Sequence, residues 1–148
     1  MKDSVQDCYD FFMKGFPQSG PKNFRTQVGV MFEEIAETVA QLEASKPEDL
    51  FLLTYLGQAI KQAGEHFKNT DGVVGIKDRV ELLDGLCDIM VTAVGVGRHA
   101  NMDVPGGFKE VNRSNNSKFG ENGEPILDNN LKLIKGPLYT KPDLKSFV

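Results

Sequence analysis

The sequence predicts an all-α fold of four main helices in a bundle-like arrangement, and three observations support this prediction. Apolar residues recur at steps of three and four along four stretches of the chain. Capping residues and prolines stand where these stretches begin. Short segments rich in glycine, proline and asparagine separate them. A bundle of helices joined by modest loops is the architecture that such a pattern favours.

The first two helices follow from spacing and punctuation. The first is predicted from about residue 4 to 14, with Asp3 or Ser4 as its cap and Gly15 at its end. The second is predicted from near Asn23 to about Ala44. Its apolar stripe consists of Phe24, Val28, Met31, Ile35, Val39 and Leu42.

The next two helices also carry start and stop signals. A proline at residue 47, followed by two acids, predicts that the third helix begins there and runs to about Phe67. The turn-rich residues 69–75 interrupt the pattern, and the fourth helix is predicted from Arg79 to about Ala100. Asn101 is expected to form its C-terminal cap.

A short fifth helix and an irregular tail complete the predicted fold. Asp103 followed by Pro105 predicts a helix start, and this helix should reach about Arg113. Residues 119–148 are rich in glycine, asparagine, proline and lysine and form the C-terminal tail. Within the tail, apolar pairs on either side of residues 128–130 suggest a short hairpin.

Length and charge limit the function classes. A chain of 148 residues predicts one helical domain over residues 1–148. The net charge of -4 argues against a nucleic-acid partner, and the sequence offers neither a signal peptide nor an apolar run that could span a membrane. Cys8 and Cys87 lie far apart within helical patterns, which favours a reducing, cytoplasmic location.

The fourth helix carries three acids in an apolar setting. Glu81, Asp84 and Asp88 fall within an arc of roughly 60° on one side of the helix. Since residues 86–96 are apolar almost all round, Asp88 is expected to be buried. A buried carboxylate is costly unless it acquires a cation or pairs with a base such as Arg98.

The second helix carries a further acidic group, formed by Glu33, Glu34 and Glu37. A solvated face is one interpretation of these glutamates. If the acidic edges of the two helices face each other, up to six carboxylates converge, and a divalent cation relieves their repulsion. Oxygen ligands favour Mg²⁺ or Mn²⁺, and Mg²⁺ engages substrate phosphates, which indicates phosphate chemistry.

Three motifs resemble those of a known family. The letters EEIAE at residues 33–37, followed by ELLDGLCD at residues 81–88, resemble the EExxE…ExxD signature of the MazG-like all-α nucleoside triphosphate pyrophosphohydrolases. The letters EVNRSNNSK at residues 110–118 are similar to the EVxRSNxSK stretch of the branch related to phosphoribosyl-ATP pyrophosphohydrolase. The letters KGPLYTKPDL at residues 135–144 are similar to the KGPxYxxPDL tail of the same branch.

The resemblance implies an activity, a cofactor and roles for the acids. The reaction it implies is Mg²⁺-dependent hydrolysis of a nucleotide to monophosphate and pyrophosphate, carried out by a homodimer or homotetramer. Glu34 and Glu37 match the family's ligand glutamates, and Glu33 is a further ligand or the group that activates water. Asp88 matches the ligand aspartate.

One position departs from the family pattern. Gly85 stands where many members have a glutamate, three residues before the ligand aspartate. We therefore expect Asp84 to act with Asp88, one helical turn apart, and Glu81 to support them. The alternative pair is Glu81 with Asp84.

Substrate contacts are expected from the last two motifs. Arg113, Asn115 and Lys118 are candidates for binding phosphate, base or ribose, and a polar helix end is the other interpretation of the same residues. Three tail residues, Lys132, Lys135 and Tyr139, either close over a nucleotide or belong to an ordinary lysine-rich surface loop.

Three functional hypotheses remain open at this point. The first is hydrolysis of a nucleoside triphosphate, with a deoxynucleotide such as dUTP or dCTP as substrate. The second, in the same reaction class, is hydrolysis of phosphoribosyl-ATP. The third is a non-catalytic metal-binding helical oligomer, which the Gly85 departure favours.

Overall fold

The computed structural model describes residues 3–148, and the prediction of an all-α fold is confirmed. No strand occurs among these residues. The structure contains five α-helices and one 3₁₀ turn: α1 Ser4–Gly15, α2 Pro21–Val39, α3 Pro47–Asn69, α4 Arg79–His99, α5 Val104–Asn116 and the turn Lys145–Phe147.

Aspartates begin three of the helices. Asp3, Asp78 and Asp103 each accept hydrogen bonds from backbone N–H groups in the first turn of α1, α4 and α5 respectively. The predicted start of α3 at Pro47 is confirmed. Asn101 follows α4 with a φ of 61°, the left-handed conformation that ends helices and that asparagine tolerates.

The predicted bounds of α2 are displaced at both ends. The helix begins at Pro21 rather than near Asn23, because proline suits the first helical position and the Asn23 side chain accepts from the Gly20 N–H at 2.9 Å. It ends at Val39 rather than Ala44. The Ala40 N–H still bonds the Ala36 carbonyl, but the N–H groups of Gln41 and Leu42 bond carbonyls three residues earlier, so the helix tightens and stops.

One compact unit comprises residues 19–74 and 127–132 and is called the α2–α3 unit here. Its two helices run antiparallel, since Gly29 of α2 lies beside Gly64 of α3 while Val39 lies beside Gly57. Phe32 and Phe67 bring their rings to 5.9 Å within this pair. The helix pair is the packing element from which helical bundles are built.

The other compact unit comprises residues 1–18, 75–126 and 133–148, and its described part contains α1, α4, α5 and most of the tail. Its buried cluster consists of Phe11, Phe119 and Leu133. The first two rings meet edge to face, 5.5 Å apart. Asn112 is buried on α5 and donates to the carbonyl of Ser4 at 2.8 Å, which fastens α5 to the start of α1.

The tail turn forms, but without strands. Asp128 N–H donates to the Lys132 carbonyl at 3.0 Å, and Ile134 N–H donates to the Ile126 carbonyl at 2.9 Å. Leu131 adopts a φ of 62° inside the turn that the first of these bonds closes. The predicted hairpin is thus reduced to a turn, because the flanking apolar pairs are too short to continue a ladder. Among residues 3–148, no helix is both long and apolar enough to cross a membrane.

Candidate functional site

Glu33 lies between two lysines in the α2–α3 unit. Its Oε1 is 2.5 Å from Nζ of Lys68 on α3, and its Oε2 is 3.1 Å from Nζ of Lys132 in the tail turn. The Lys68 side chain is 12% exposed, and the Glu33 side chain is 28% exposed. Both carboxylate oxygens of Glu33 are therefore engaged by ammonium groups.

The surroundings of Glu33 alter its pKa in two opposing ways. Burial alone would raise the pKa, because it disfavours the charged form. The hydrogen bonds and positive charges of Lys68 and Lys132 together outweigh burial and hold the pKa below its ordinary value of 4.5. Glu33 is consequently a stable anion and a weak proton acceptor near neutral pH.

Two helical glycines bring Lys68 to Glu33. A Cβ added at Gly29 would stand 2.8 Å from the carbonyl oxygen of Gly64 and 3.0 Å from the backbone nitrogen of Lys68. A Cβ at Gly64 would stand 2.9 Å from the carbonyl oxygen of Gly29 and 3.1 Å from the nitrogen of Glu33. These distances are too short for a side chain, so the close approach of α2 and α3 requires glycine at both positions.

The other two acids of α2 face solvent. Glu34 and Glu37 are exposed, and as residues three apart on a helix they share one face. Ala36, between them in sequence, is buried and belongs to the packed side of the helix. Glu34 and Glu37 thus form a carboxylate pair at the edge of the buried stripe.

The acids of α4 are exposed within the described chain, and the expectation that Asp88 is buried is wrong for a single copy. Glu81, Asp84 and Asp88 are exposed, and their side chains make no hydrogen bond or ion pair among residues 3–148. The reason is that α4 is packed only near its C-terminal end, where Gly97 lies against Val104. Most of its apolar side chains are exposed among residues 3–148.

The structure places the predicted metal ligands as pairs on each helix. Glu34 and Glu37 lie three residues apart on α2, and Asp84 and Asp88 lie four residues apart on α4. Within residues 3–148, no three His, Cys, Asp or Glu side chains gather into a group that could hold a metal ion. A pair of carboxylates is nevertheless chemically suited to Mg²⁺, which commonly takes one or two carboxylates and completes its shell with water and phosphate.

The predicted substrate residue Arg113 is occupied by contacts with the tail. Its guanidinium forms a bidentate pair with Glu110, at 2.8 and 2.7 Å, and also donates to Oγ1 of Thr140 at 2.6 Å. The hydrogen bond from Arg113 is the largest cause that lowers the pKa of Glu110 to about 2, followed by a bond from the N–H of Asp143. Glu110 and Arg113 thereby tie α5 to residues 140–143.

The remaining residues of the EVNRSNNSK stretch divide between packing and accessible positions. Ser114 is buried and donates to the Thr140 carbonyl at 2.8 Å, while Oγ of Ser117 accepts from the Thr140 N–H at 2.8 Å. Asn115 and Lys118 are half-buried. The two serines of the motif therefore bind the backbone of the tail at Thr140, which is a structural role.

Lys68 and Thr140 are partners that sequence reasoning did not identify. No periodicity or motif marks Lys68, and Thr140 stands at a variable position of the KGPLYTKPDL stretch, so each acquires its role from a residue far away in the chain. The available signal was a pair of glycines, Gly29 and Gly64, inside otherwise regular helical patterns. Glycine within a helix is unfavourable unless a close approach requires it, so such a pair points to a helix crossing.

A separate cavity of about 230 Å³ lies in the α2–α3 unit, at the start of α2 and the end of α3. It is lined by polar and basic side chains, including Lys22, Arg25 and Lys68, and by the Phe67 ring. None of the acids predicted as metal ligands lines it.

Comparison with known proteins identifies one solved structure of similar fold. It is the crystal structure of a protein from Exiguobacterium sp. 255-15 that is provisionally named an NTP pyrophosphohydrolase. The TM-score is 0.61, and the match covers 95% of this chain and 89% of that chain at 22% sequence identity. At this identity the likeness shows that the two chains share a fold. No protein-family description and no curated sequence matches the chain.

Proposed function

We propose that the protein is a Mg²⁺-dependent nucleoside triphosphate pyrophosphohydrolase that releases monophosphate and pyrophosphate. The observation that carries the proposal is the pair Asp84 and Asp88, exposed, one helical turn apart and without a partner among the described residues. Two carboxylates so placed repel each other unless a cation lies between them. The provisional name of the structure with the same fold supports the nucleotide substrate.

The carboxylate pairs are the groups that would hold the metal. The pair Glu34 and Glu37 lies on α2, and the pair Asp84 and Asp88 lies on α4 with Glu81 in support. Each pair would supply carboxylate oxygens to the ion. Carboxylate oxygens match the ligand preference of Mg²⁺, and also that of Mn²⁺. When bound, the ion would neutralise charge on the phosphates and would polarise a phosphoryl oxygen.

Glu33 and Glu34 have different roles in this proposal, although both match the family signature. The Glu33 carboxylate is engaged at both oxygens, and its lowered pKa makes it a poor base. It therefore holds Lys68 of α3 and Lys132 of the tail turn against α2. Activation of the attacking water falls to Glu34.

The substrate-binding residues are assigned in the same way. Asn115 and Lys118 contact the nucleotide, since an amide can hydrogen-bond a base or ribose and an ammonium can bind phosphate. Arg113 acts indirectly, because its guanidinium is engaged with Glu110 and Thr140 and so holds the tail in place. The substrate class is a nucleoside triphosphate, with dUTP and dCTP as the first deoxynucleotides to test.

Substitution of single carboxylates tests this assignment. With Mg²⁺ and a panel of NTPs, dNTPs and phosphoribosyl-ATP, the natural chain should release pyrophosphate from at least one substrate. Asp88→Asn and Glu37→Gln should each lower kcat at least a hundredfold, since each removes a charged ligand while keeping the side-chain shape. Glu65→Gln, on an exposed position of α3, is the matched control and should retain full activity.

Unchanged turnover in the Asp88 and Glu37 variants would contradict the proposal and favour a non-catalytic role for the acids. If phosphoribosyl-ATP is the only substrate hydrolysed, the proposed reaction class is correct and the proposed nucleoside triphosphate substrate is wrong.

We further propose that the protein works as a homodimer or homotetramer. Val80 and Val91 on α4 are 75% and 68% exposed, and Phe51 and Tyr55 on α3 stack in the open with ring centroids 6.1 Å apart. Exposed apolar surface of this extent on α4 and on α3 marks an association surface. Light scattering after size-exclusion chromatography should give two or four times 16.4 kDa, and Val91→Lys should lower that mass. Elution of the natural chain as a monomer at micromolar concentration would contradict the proposed oligomer.

A further inference from the structure

We propose that the cavity at the start of α2 is a binding site for a phosphate group, separate from the proposed catalytic acids. The cavity lies entirely within the α2–α3 unit and has a volume of about 230 Å³. One water molecule occupies roughly 30 Å³ in the liquid, so a tetrahedral oxyanion with several waters fits this space.

The first observation is a buried cation without an acidic partner. Arg25 is only 7% exposed and lines the cavity. Its Nε donates to the Thr70 carbonyl at 3.0 Å, and its Nη2 donates to Oγ1 of Thr70 at 2.7 Å. Both partners are neutral, and within residues 3–148 no ion pair joins Arg25 to a carboxylate. A buried charge is unfavourable unless an opposite charge compensates it.

The interactions that surround Arg25 compensate its charge only in part. The Phe67 ring lies 5.0 Å from its guanidinium carbon, a cation–π contact that favours the cation. The carbonyls at the end of α3 add roughly half a negative charge, but the start of α2 carries the opposite partial charge at the same end of the helix pair. Because the partial charges of these two helix ends cancel, the charges of the side chains determine the net charge of the cavity.

The second observation is that this balance is positive. Lys22 and Lys68 line the cavity with Arg25, against a single acid, Asp71. Lys68 is already matched by Glu33, so Lys22 and Arg25 together exceed Asp71 by one charge. Positive side chains in the first turn of a helix also oppose the helix dipole, and an anion removes that conflict.

The third observation is the N-terminus of α2 itself, which lacks an acidic group. Its N-cap is Gly20, and no acid stands in the first turn. The side chain that caps this start is neutral, since Asn23 accepts from the Gly20 N–H at 2.9 Å. The described α1, α4 and α5 instead begin with capping aspartates. A phosphate in the cavity would supply the missing negative charge and accept from the Arg25 guanidinium and from the backbone N–H groups that follow Pro21.

The site is distinct from the catalytic acids. Arg25 and the pair Glu34 and Glu37 are nine to twelve residues apart on the same helix, which corresponds to about 14 to 18 Å along its axis. The phosphate can come from free inorganic phosphate or from a nucleotide that carries a phosphate group.

Isothermal titration calorimetry on the full chain tests the proposal, with inorganic phosphate and a nucleoside monophosphate as separate probes. Ionic strength is held constant with chloride, because phosphate also stabilises proteins by exclusion from their surface. The natural chain should bind one equivalent of one or both probes. The probe that binds more tightly identifies the source of the phosphate.

Two variants and a control locate the binding. Lys22→Met, at an exposed position, should weaken binding about threefold to tenfold, and Arg25→Gln should abolish it. Lys61→Met, on an exposed part of α3 outside the cavity, should bind as the natural chain does. If Arg25→Gln fails to fold, comparison of the Lys22 and Lys61 variants still shows whether the probe binds in the cavity.

Two results would overturn the proposal. The first is an absence of binding heat for both probes, together with unshifted ³¹P resonances in the presence of the protein. The second is binding whose dissociation constant is the same in the Lys22 variant and the natural chain, because that ligand would then lie elsewhere.

Discussion

Replacing Glu33 by glutamine tests the two-lysine arrangement in the α2–α3 unit. The substitution keeps the side-chain shape but removes the negative charge between Lys68 and Lys132. Lys68 is then left 12% exposed with its charge unmatched. We expect Glu33→Gln to lower the free energy of unfolding at pH 7.

The magnitude follows from the exposure of each lysine. A hydrogen bond to a charged group contributes about 1.5–3 kcal/mol when it is largely shielded from water, which applies to the Lys68 contact. The Lys132 side chain is 40% exposed, so its contact contributes less than about 1 kcal/mol. We therefore expect a loss of about 2 kcal/mol, measured by urea denaturation followed by circular dichroism.

The loss should depend on pH with a defined sign. Because the pKa of Glu33 is lower in the folded chain than its ordinary 4.5, the ion pairs contribute stability above pH 4.5. That contribution disappears as the pH falls through the folded-state pKa. The difference between the natural chain and Glu33→Gln should consequently be largest at pH 7 and shrink below pH 4.

A double-mutant cycle with Lys68→Met supplies the control. Since the two side chains share one interaction, the double variant should lose less stability than the sum of the single variants. Glu65→Gln, exposed on α3, should change stability by less than about 0.5 kcal/mol. A difference between the natural chain and Glu33→Gln that is constant from pH 7 to pH 3, or strict additivity in the cycle, would refute the reasoning.

Two further predictions concern packing and capping. Gly64→Ala should lower the free energy of unfolding by about 1–3 kcal/mol, because the new Cβ would stand 2.9 Å from the Gly29 carbonyl oxygen. Gly57→Ala is the control. Its new Cβ would have its nearest neighbour at 3.4 Å, so this variant should be as stable as the natural chain or more stable. Equal stability of the two variants in urea would show that α2 and α3 can separate at little cost. Asp78→Ala should lower the free energy of unfolding by about 1 kcal/mol, because the carboxylate that accepts from two N–H groups of α4 is lost. Amide hydrogen exchange in the first turn of α4 should also become faster. Unchanged exchange in that turn would contradict the capping role.

Local signals in the sequence were sufficient for the number and order of the helices and for several of their ends. Proline and aspartate start signals located α3 and α5, and Asn101 marked the end of α4. The end of α2 was misplaced by five residues, because apolar spacing continues to Leu42 after the backbone has left the helix. Periodicity reports which face is apolar, and it does not report where hydrogen bonding stops.

The candidate site was less accessible to sequence reasoning, because its contacts are not local. The acids of α2 and α4 could be identified from their spacing, and their role as metal ligands stays a prediction. The pairing of Glu33 with Lys68 depends on how closely two helices approach, which two glycines decide. The expected burial of Asp88 failed because, among residues 3–148, α4 is packed near its C-terminal end, where Gly97 lies against Val104, and Asp88 lies more than two turns away.

The position of bond cleavage tests the central proposal most directly. The natural chain is incubated with Mg²⁺ and its preferred triphosphate, and the products are identified by ³¹P NMR. Nucleoside monophosphate and pyrophosphate in equal amounts are the predicted products, and they should be absent with Asp88→Asn. Nucleoside diphosphate with inorganic phosphate, or the same products at the same rate from Asp88→Asn, would contradict the proposal.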